Sequence, residues 1–212
     1  MKLLSVNRSL PQNIEWQGKT IATGIFKIPV TDAVMITADG LYGDDQADLS
    51  VHGGIDKAVY LFPHEHHAYF ADLLGRPVTD FNYGQFGENL STQGLLESET
   101  MIGDRFRIGD TAEFEVSQPR EPCFKLGIAL QAPQILRPFL KSLKTGFYLR
   151  VLTAGTIQSG DPLKQIHHAK NSLSVAQITR LRYFDQENHH QRQQAANLPA
   201  LTQSWRESFG SN

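Results

Sequence analysis

Cysteine is almost missing from this chain: Cys123 is the only one in 212 residues. No disulfide can form within the chain, and no cluster that needs several thiolates can be built from it. Long apolar runs are missing too. Without a stretch of about 18 apolar residues, no transmembrane helix is expected. Neither sign of charge dominates, with 20 Lys and Arg against 22 Asp and Glu for a formal charge of -2. That balance gives no reason to expect a nucleic-acid or acidic-membrane partner. The start, Met1-Lys2-Leu3-Leu4-Ser5-Val6-Asn7-Arg8, carries a cation but no sustained apolar stretch, so it does not read as a signal peptide. With one cysteine and no export signal, the expected location is cytoplasmic, where a free thiol persists. The dinucleotide pattern GxGxxG, the hydrolase pattern GxSxG and any repeat of 20–50 residues are absent.

Apolar residues make up 40% of the chain and charged ones 20%, which fits a globular protein with one large domain or a main domain and a small appendage. Short strands are expected through the first 168 residues. Ile21–Ile28 and Ala33–Thr37 read as strands, the second ending at the turn Ala38-Asp39-Gly40, and Lys57–Phe62 as another. Phe106 and Ile108 alternate with Arg105 and Arg107. Past Gly109-Asp110, Ala112, Phe114 and Val116 alternate with Glu113, Glu115 and Ser117. That period of two predicts a hairpin with one buried face on each arm, leading directly to Cys123. Phe147–Leu152 is a further strand. Helices are expected at His64–Leu74, after Pro63 and before Gly75, and at Pro133–Leu143, with a kink or break at Pro138. This pattern predicts a mainly β, α+β, barrel-like domain over residues 1–168. Residues 169–212 read as a small C-terminal domain of two or three short helices, with Val175, Ile178 and Leu181 near one face and Leu201, Trp205 and Phe209 spaced four apart. Such a piece is too small to stand alone and should pack on the main domain.

Several signals have both a functional and a plain structural reading. Gly18-Lys19-Thr20 resembles the end of a phosphate-binding loop, but Asn13 stands where that pattern needs glycine, so a turn is expected. His64-Glu65-His66-His67 invites a metal, yet position 68 is Ala and the HExxH spacing fails; a solvated helix start is expected instead. His167-His168 and His189-His190 read as surface. In Val51-His52-Gly53-Gly54-Ile55-Asp56-Lys57, paired glycines either let backbone N–H groups approach an anion or make a tight turn. Phe86-Gly87-Glu88-Asn89-Leu90 offers an amide able to read a heterocycle edge, or an Asn turn. Cys123 follows Ser117-Gln118-Pro119-Arg120-Glu121-Pro122 and precedes Phe124-Lys125. Positive charge on both sides favours a thiolate. On these residues alone it is a buried filler, a nucleophile or a metal ligand.

Taken in order, His52-Gly53-Gly54-Ile55-Asp56-Lys57-Ala58-Val59, Phe86–Leu90, Gly103-Asp104, Ser117–Cys123 and Gly146-Phe147-Tyr148-Leu149-Arg150-Val151 resemble MOSC domains, named for the C-terminal domain of molybdenum cofactor sulfurases. The chain is most similar to the stand-alone bacterial YiiM-like branch, which also carries a small three-helix C-terminal domain. The resemblance implies a β-barrel-like fold holding a molybdenum cofactor (molybdopterin), with Cys123 as catalytic residue and molybdenum ligand. A thiolate is a soft ligand suited to such a centre. It implies reduction of N-hydroxylated compounds, N-hydroxylated purine bases among them, with electrons from a separate flavin reductase. Lys27, Arg120 and Arg150 are candidate cations for the cofactor phosphate, His52, Gly53 and Gly54 candidate backbone donors, and Asn89 a reader of the pterin edge. Glu121 and Pro122 depart from the Asn-Ser that precedes the cysteine in some eukaryotic relatives. The alternative is a non-enzymatic carrier of the cofactor, or of sulfur as a Cys123 persulfide; no pyridoxal-phosphate domain is visible to release sulfur. A cysteine hydrolase would need His52 as partner. The oligomeric state stays open, a homodimer included.

Overall fold

A computed structural model describes residues 1–45 and 53–210. The strands are β1 (Lys2–Arg8), β2 (Gln12–Trp16), β3 (Lys19–Thr23), β4 (Ile28–Val30), β5 (Val34–Thr37), β6 (Gly40–Leu41), β7 (Val59–Pro63), β8 (Leu90–Gln93), β9 (Arg105–Ile108), β10 (Ala112–Pro119), β11 (Phe147–Thr153), β12 (Gly155–Ile157) and β13 (Leu163–His167). The helices are α1 (His66–Leu74), α2 (Phe124–Ala129), α3 (Leu136–Ser142), α4 (Val175–Tyr183), α5 (His189–Ala196) and α6 (Gln203–Gly210). The fold is α+β and sheet-rich, with a helical C-terminal region.

The main sheet has eight strands in the order β13-β9-β10-β11-β7-β8-β1-β4. All neighbours are antiparallel except β7 and β8. Bulges in β1, β10 and β13 bend it, as an extra residue in one strand of a pair does. The curl brings β1 to the turn before β13, where Leu3 N–H donates to Asp161 O at 3.1 Å and Gly160 N–H to Leu3 O at 2.8 Å. The ladder stops there. Among the described residues β4 and β13 remain edges, so the expected barrel is curled but not closed.

Both faces of the sheet are covered. Strand β7 is buried throughout, which is what a central strand between two apolar layers requires. Its Val59 and Leu61 join a cluster with Phe106, Phe114, Val116 and Leu149. Its Tyr60 and Phe62 join a second, aromatic cluster with Phe70, Phe86, Leu126 and Phe139 from the helical side. Leu173, Val175, Ile178, Leu181, Trp205 and Phe209 of the C-terminal region belong to the first cluster.

The hairpin β9–β10 forms as its alternation predicts, Phe114 opposite Phe106. Its second arm differs: Glu115 and Ser117 are buried along with the apolar face, because Glu115 pairs with Arg105 and Arg150 and the Ser117 hydroxyl donates to Tyr148 O. The strand expected over Ile21–Ile28 breaks at Gly24, where a Cβ would meet Asp45 O at 2.6 Å; β4 resumes at Ile28. Pro133–Leu143 is a 3-10 turn over Pro133–Ile135 followed by α3. Pro138 lies in the first turn of α3, where a missing N–H costs little, so the break falls earlier than Pro138.

Candidate functional site

Strand β10 ends on Pro119, and the chain runs without regular structure through Arg120, Glu121 and Pro122 to Cys123 at the start of α2. The ends of this segment are held by the backbone: Arg120 N–H donates to Gly146 O at 3.3 Å, and Leu126 N–H to Cys123 O at 3.0 Å. Gly146 has φ +64°, and a Cβ there would meet Leu61 O at 2.4 Å. That close approach lets β11 and β7 lie side by side beneath the cysteine segment.

Cys123 is half-buried and outside any disulfide. It lines a cleft together with Gly24, Lys27, Tyr60, Asn89, Arg120, Lys125 and Tyr148. Arg120 is 5% exposed. Its guanidinium carbon lies 5.0 Å from the Tyr60 ring centre and 5.5 Å from that of Phe139. Its Nη1 is buried with no hydrogen-bond partner. Burial works against the charge, but Tyr60, Tyr148 and Cys123 around it outweigh that and raise its pKa. Burial raises the pKa of both tyrosines, Arg120 opposing, so they stay neutral hydroxyls. The wall of the cleft thus holds a thiol beside a fixed cation with an unused donor.

Lys27 is buried and paired with Asp44. Burial lowers its pKa, with Asp44 opposing. Asn89 accepts from Tyr60 N–H at 3.0 Å and donates to Asp44 at 2.8 Å, so both ends of its amide join the strand to the Asp44 loop. Glu88, fully buried, accepts from Gly84 N–H at 2.7 Å, Phe86 N–H at 3.0 Å and the Ser91 hydroxyl at 2.7 Å. That network closes the turn carrying Asn89. Asp104, also buried, accepts from Met101 N–H at 2.9 Å and Ala169 N–H at 2.8 Å and ties the helical region to the sheet.

Lys27, Asn89, Arg120 and Cys123 therefore share one cleft. Arg150 lies apart, bonded to Asp56 at 2.8 Å, to Glu115 at 2.6 Å and to Ala200 O at 2.9 Å. Gly53 and Gly54 lead into the 3-10 turn Ile55–Lys57, which carries Asp56, and do not line the cleft. His52 lies outside the described residues, and with it the histidine a cysteine hydrolase would need. Tyr60, Tyr148 and Lys125 were not among the expected site residues. Alternation along β11 was the available signal for Tyr148, because it places this residue opposite the Phe147 and Leu149 side.

The expected solvated helix start is overturned. His66 and His67 are 3% and 1% exposed. His66 bonds Glu97 at 2.6 Å, and His67 packs against Phe62, Phe81 and Phe86. Among the described residues no group of three or more His, Cys, Asp or Glu is placed to hold a metal ion, and no helix is long and apolar enough to cross a membrane.

Fold and cleft define a class: a curled-sheet protein with a lone thiol beside a buried guanidinium in one cleft. Residues 48–164 match the MOSC domain. Over 98% of this chain and 92% of the relative, the sequence is 40% identical to the uncharacterized protein YflK of Bacillus subtilis. The crystal structure of YiiM from Geobacillus stearothermophilus superposes with a TM-score of 0.82 at 35% identity, covering 98% of this chain and 96% of that one. A protein of Gibberella moniliformis named as a reductase is 32% identical over 77% of this chain, which spans 29% of that longer protein. The chain belongs to the MOSC domain family, in its YiiM-like branch. MOSC domains are associated with the molybdenum cofactor.

Proposed function

We propose that the protein is a molybdenum-cofactor-dependent oxidoreductase that reduces N-hydroxylated compounds, hydroxylaminopurines among them, with electrons from a separate flavin reductase. One observation carries the reading: the sole cysteine lies beside Arg120, a buried cation with an unpartnered Nη1. An orphaned guanidinium donor in a dry wall is costly unless a ligand completes it. The residues present fit an anionic cofactor with a soft metal. Cys123 would supply the thiolate ligand, and Arg120 and Lys125 would offer charge to the anionic part. Gly24 and Gly87 also line the cleft.

When bound, the cofactor supplies the two-electron transfer. The overall reaction takes up two electrons and two protons, breaks the N–O bond and releases an amine and water. The chain's own residues position and shield. Tyr60 donates its hydroxyl to Thr145 O at 2.8 Å and holds its ring beneath Arg120. Tyr148 packs on Tyr60 with ring centres 5.4 Å apart, and together the rings keep water from the guanidinium.

Expression in a host that makes the cofactor tests this reading. Cys123→Ala should lose both molybdenum content and turnover of a hydroxylaminopurine with an artificial reductant. Full activity in that variant would overturn the proposal, and bound molybdenum in the unaltered protein without turnover of any N-hydroxylated substrate would point to a carrier.

A further inference from the structure

We propose that Tyr183 and Arg182, on the first helix of the C-terminal region, are positioning residues for Cys123 and act through Glu121. This deepens the site described above and rests on Cys123 being its working residue.

The segment between Arg120 and α2 has no regular secondary structure. Pro122 has no N–H to donate, and backbone bonds hold only Arg120 and Cys123 at its two ends. Its middle is held from outside. The Tyr183 hydroxyl donates to Glu121 Oε1, and Arg182 Nε lies 3.2 Å from the same oxygen. Burial and then Glu121 push the Tyr183 phenol up to about 12, so it keeps its proton and remains a donor.

The far side of this latch is stiff. The Arg182 guanidinium carbon lies 4.7 Å from the centre of the Trp205 ring, and Tyr183 meets the same ring edge-on at 6.5 Å. Trp205 is 1% exposed and part of the main core. Helix α4 begins in a capping box, Ser174 accepting from Gln177 N–H and the Gln177 side chain from Ser174 N–H, which fixes its entry. Glu121 lines the cleft and lies two residues from the thiol. A rigid helix therefore reaches over to the cysteine segment through the Glu121 side chain. The helical region would then set the thiol's place without touching the ligand.

Cys123 is the chain's only cysteine, so alkylation by iodoacetamide reports on it alone. With cofactor-free protein, Tyr183→Phe and Glu121→Ala should each change the alkylation rate by about two- to tenfold, as expected when one hydrogen bond ceases to bias a local equilibrium. The double variant should show no more change than either single one, because both remove the same contact. Glu121→Gln, which keeps an acceptor for the phenol, should restore most of the original rate. A purely structural role for Tyr183 would lower the unfolding midpoint without this coupling to Glu121. Additive effects, or unchanged rates in both single variants with the fold intact, would overturn the proposal. Because the measurement uses neither molybdenum nor substrate, its failure is distinct from failure of the proposed reaction.

Discussion

Burial strips water from the Arg120 guanidinium, while Tyr60, Tyr148 and Cys123 favour its charge. A site kept only for folding would gain from an apolar residue of similar volume, since buried charges are poor sources of stability. Its unpartnered Nη1 marks a cost that the free protein bears and a ligand relieves. Arg120→Met should therefore leave the unfolding free energy within about 1–2 kcal/mol of its starting value. It should lower molybdenum content about tenfold or more, the scale of losing a hydrogen bond to a charged group. Metal analysis beside urea unfolding measures both. A large loss of stability with metal content retained would assign Arg120 to the fold. Arg150 makes the contrast: of the same residue type, it has an acceptor for each of its three nitrogens, in Asp56, Glu115 and Ala200 O.

Helix α1 enters the core by its first turn, which gives it a pH dependence. Burial first, then neighbouring His64, push His67 down to about 4, with the Phe81 backbone opposing. The folded state thus refuses a proton that the unfolded chain accepts below about 6.5. Stability from this residue is intact above that pH, falls as pH drops toward 4 and levels off below it. The span corresponds to about 3 kcal/mol. His67→Phe should flatten this part of the stability profile in denaturant titrations at pH 7 and pH 4.5, and an unchanged slope would refute the assignment. The residues around α1 also show why some elements were legible and others not. The hairpin β9–β10 announces itself because Phe106, Ile108, Phe114 and Val116 alternate with charges. Three histidines in four residues look solvated by composition, and only the tertiary contacts with Phe62, Phe81 and Glu97 show that His66 and His67 are buried. Cys123, Arg120 and Lys27 could be picked out as site candidates by motif order and residue type. Tyr60 is not marked in this way, because a tyrosine in a strand reads as core until the cleft beside it is seen; for Tyr148 alternation gives the face but not the cleft.

Across the whole molecule, the sheet and the C-terminal helices share a core. Ile102 N–H donates to Leu173 O at 3.0 Å, Val175 N–H to Thr100 O at 2.9 Å and Ala176 N–H to Glu97 O at 2.9 Å, while α4 packs on β10. The Glu97 carboxylate accepts from Gly146 N–H at 2.6 Å and bonds His66, so one residue links the helical region through its backbone carbonyl with α1 and the residue before β11 through its side chain. Leu173, Val175, Ile178, Leu181, Trp205 and Phe209 are all buried against this core. At roughly 1.5–3 kcal/mol for each large apolar side chain, their burial is worth on the order of 10 kcal/mol, as much as the whole net stability of an ordinary domain. Ending the chain after His168 should then leave a protein that binds a hydrophobic dye, loses its near-ultraviolet circular dichroism and unfolds without a sharp transition. Because β10 carries the chain directly to Arg120 and Cys123, the same truncation should expose the thiol to rapid alkylation even where strands persist. A truncated chain that unfolds cooperatively and keeps a slow-reacting Cys123 would show that the sheet holds its own core and its own site, and would remove the helical region from both.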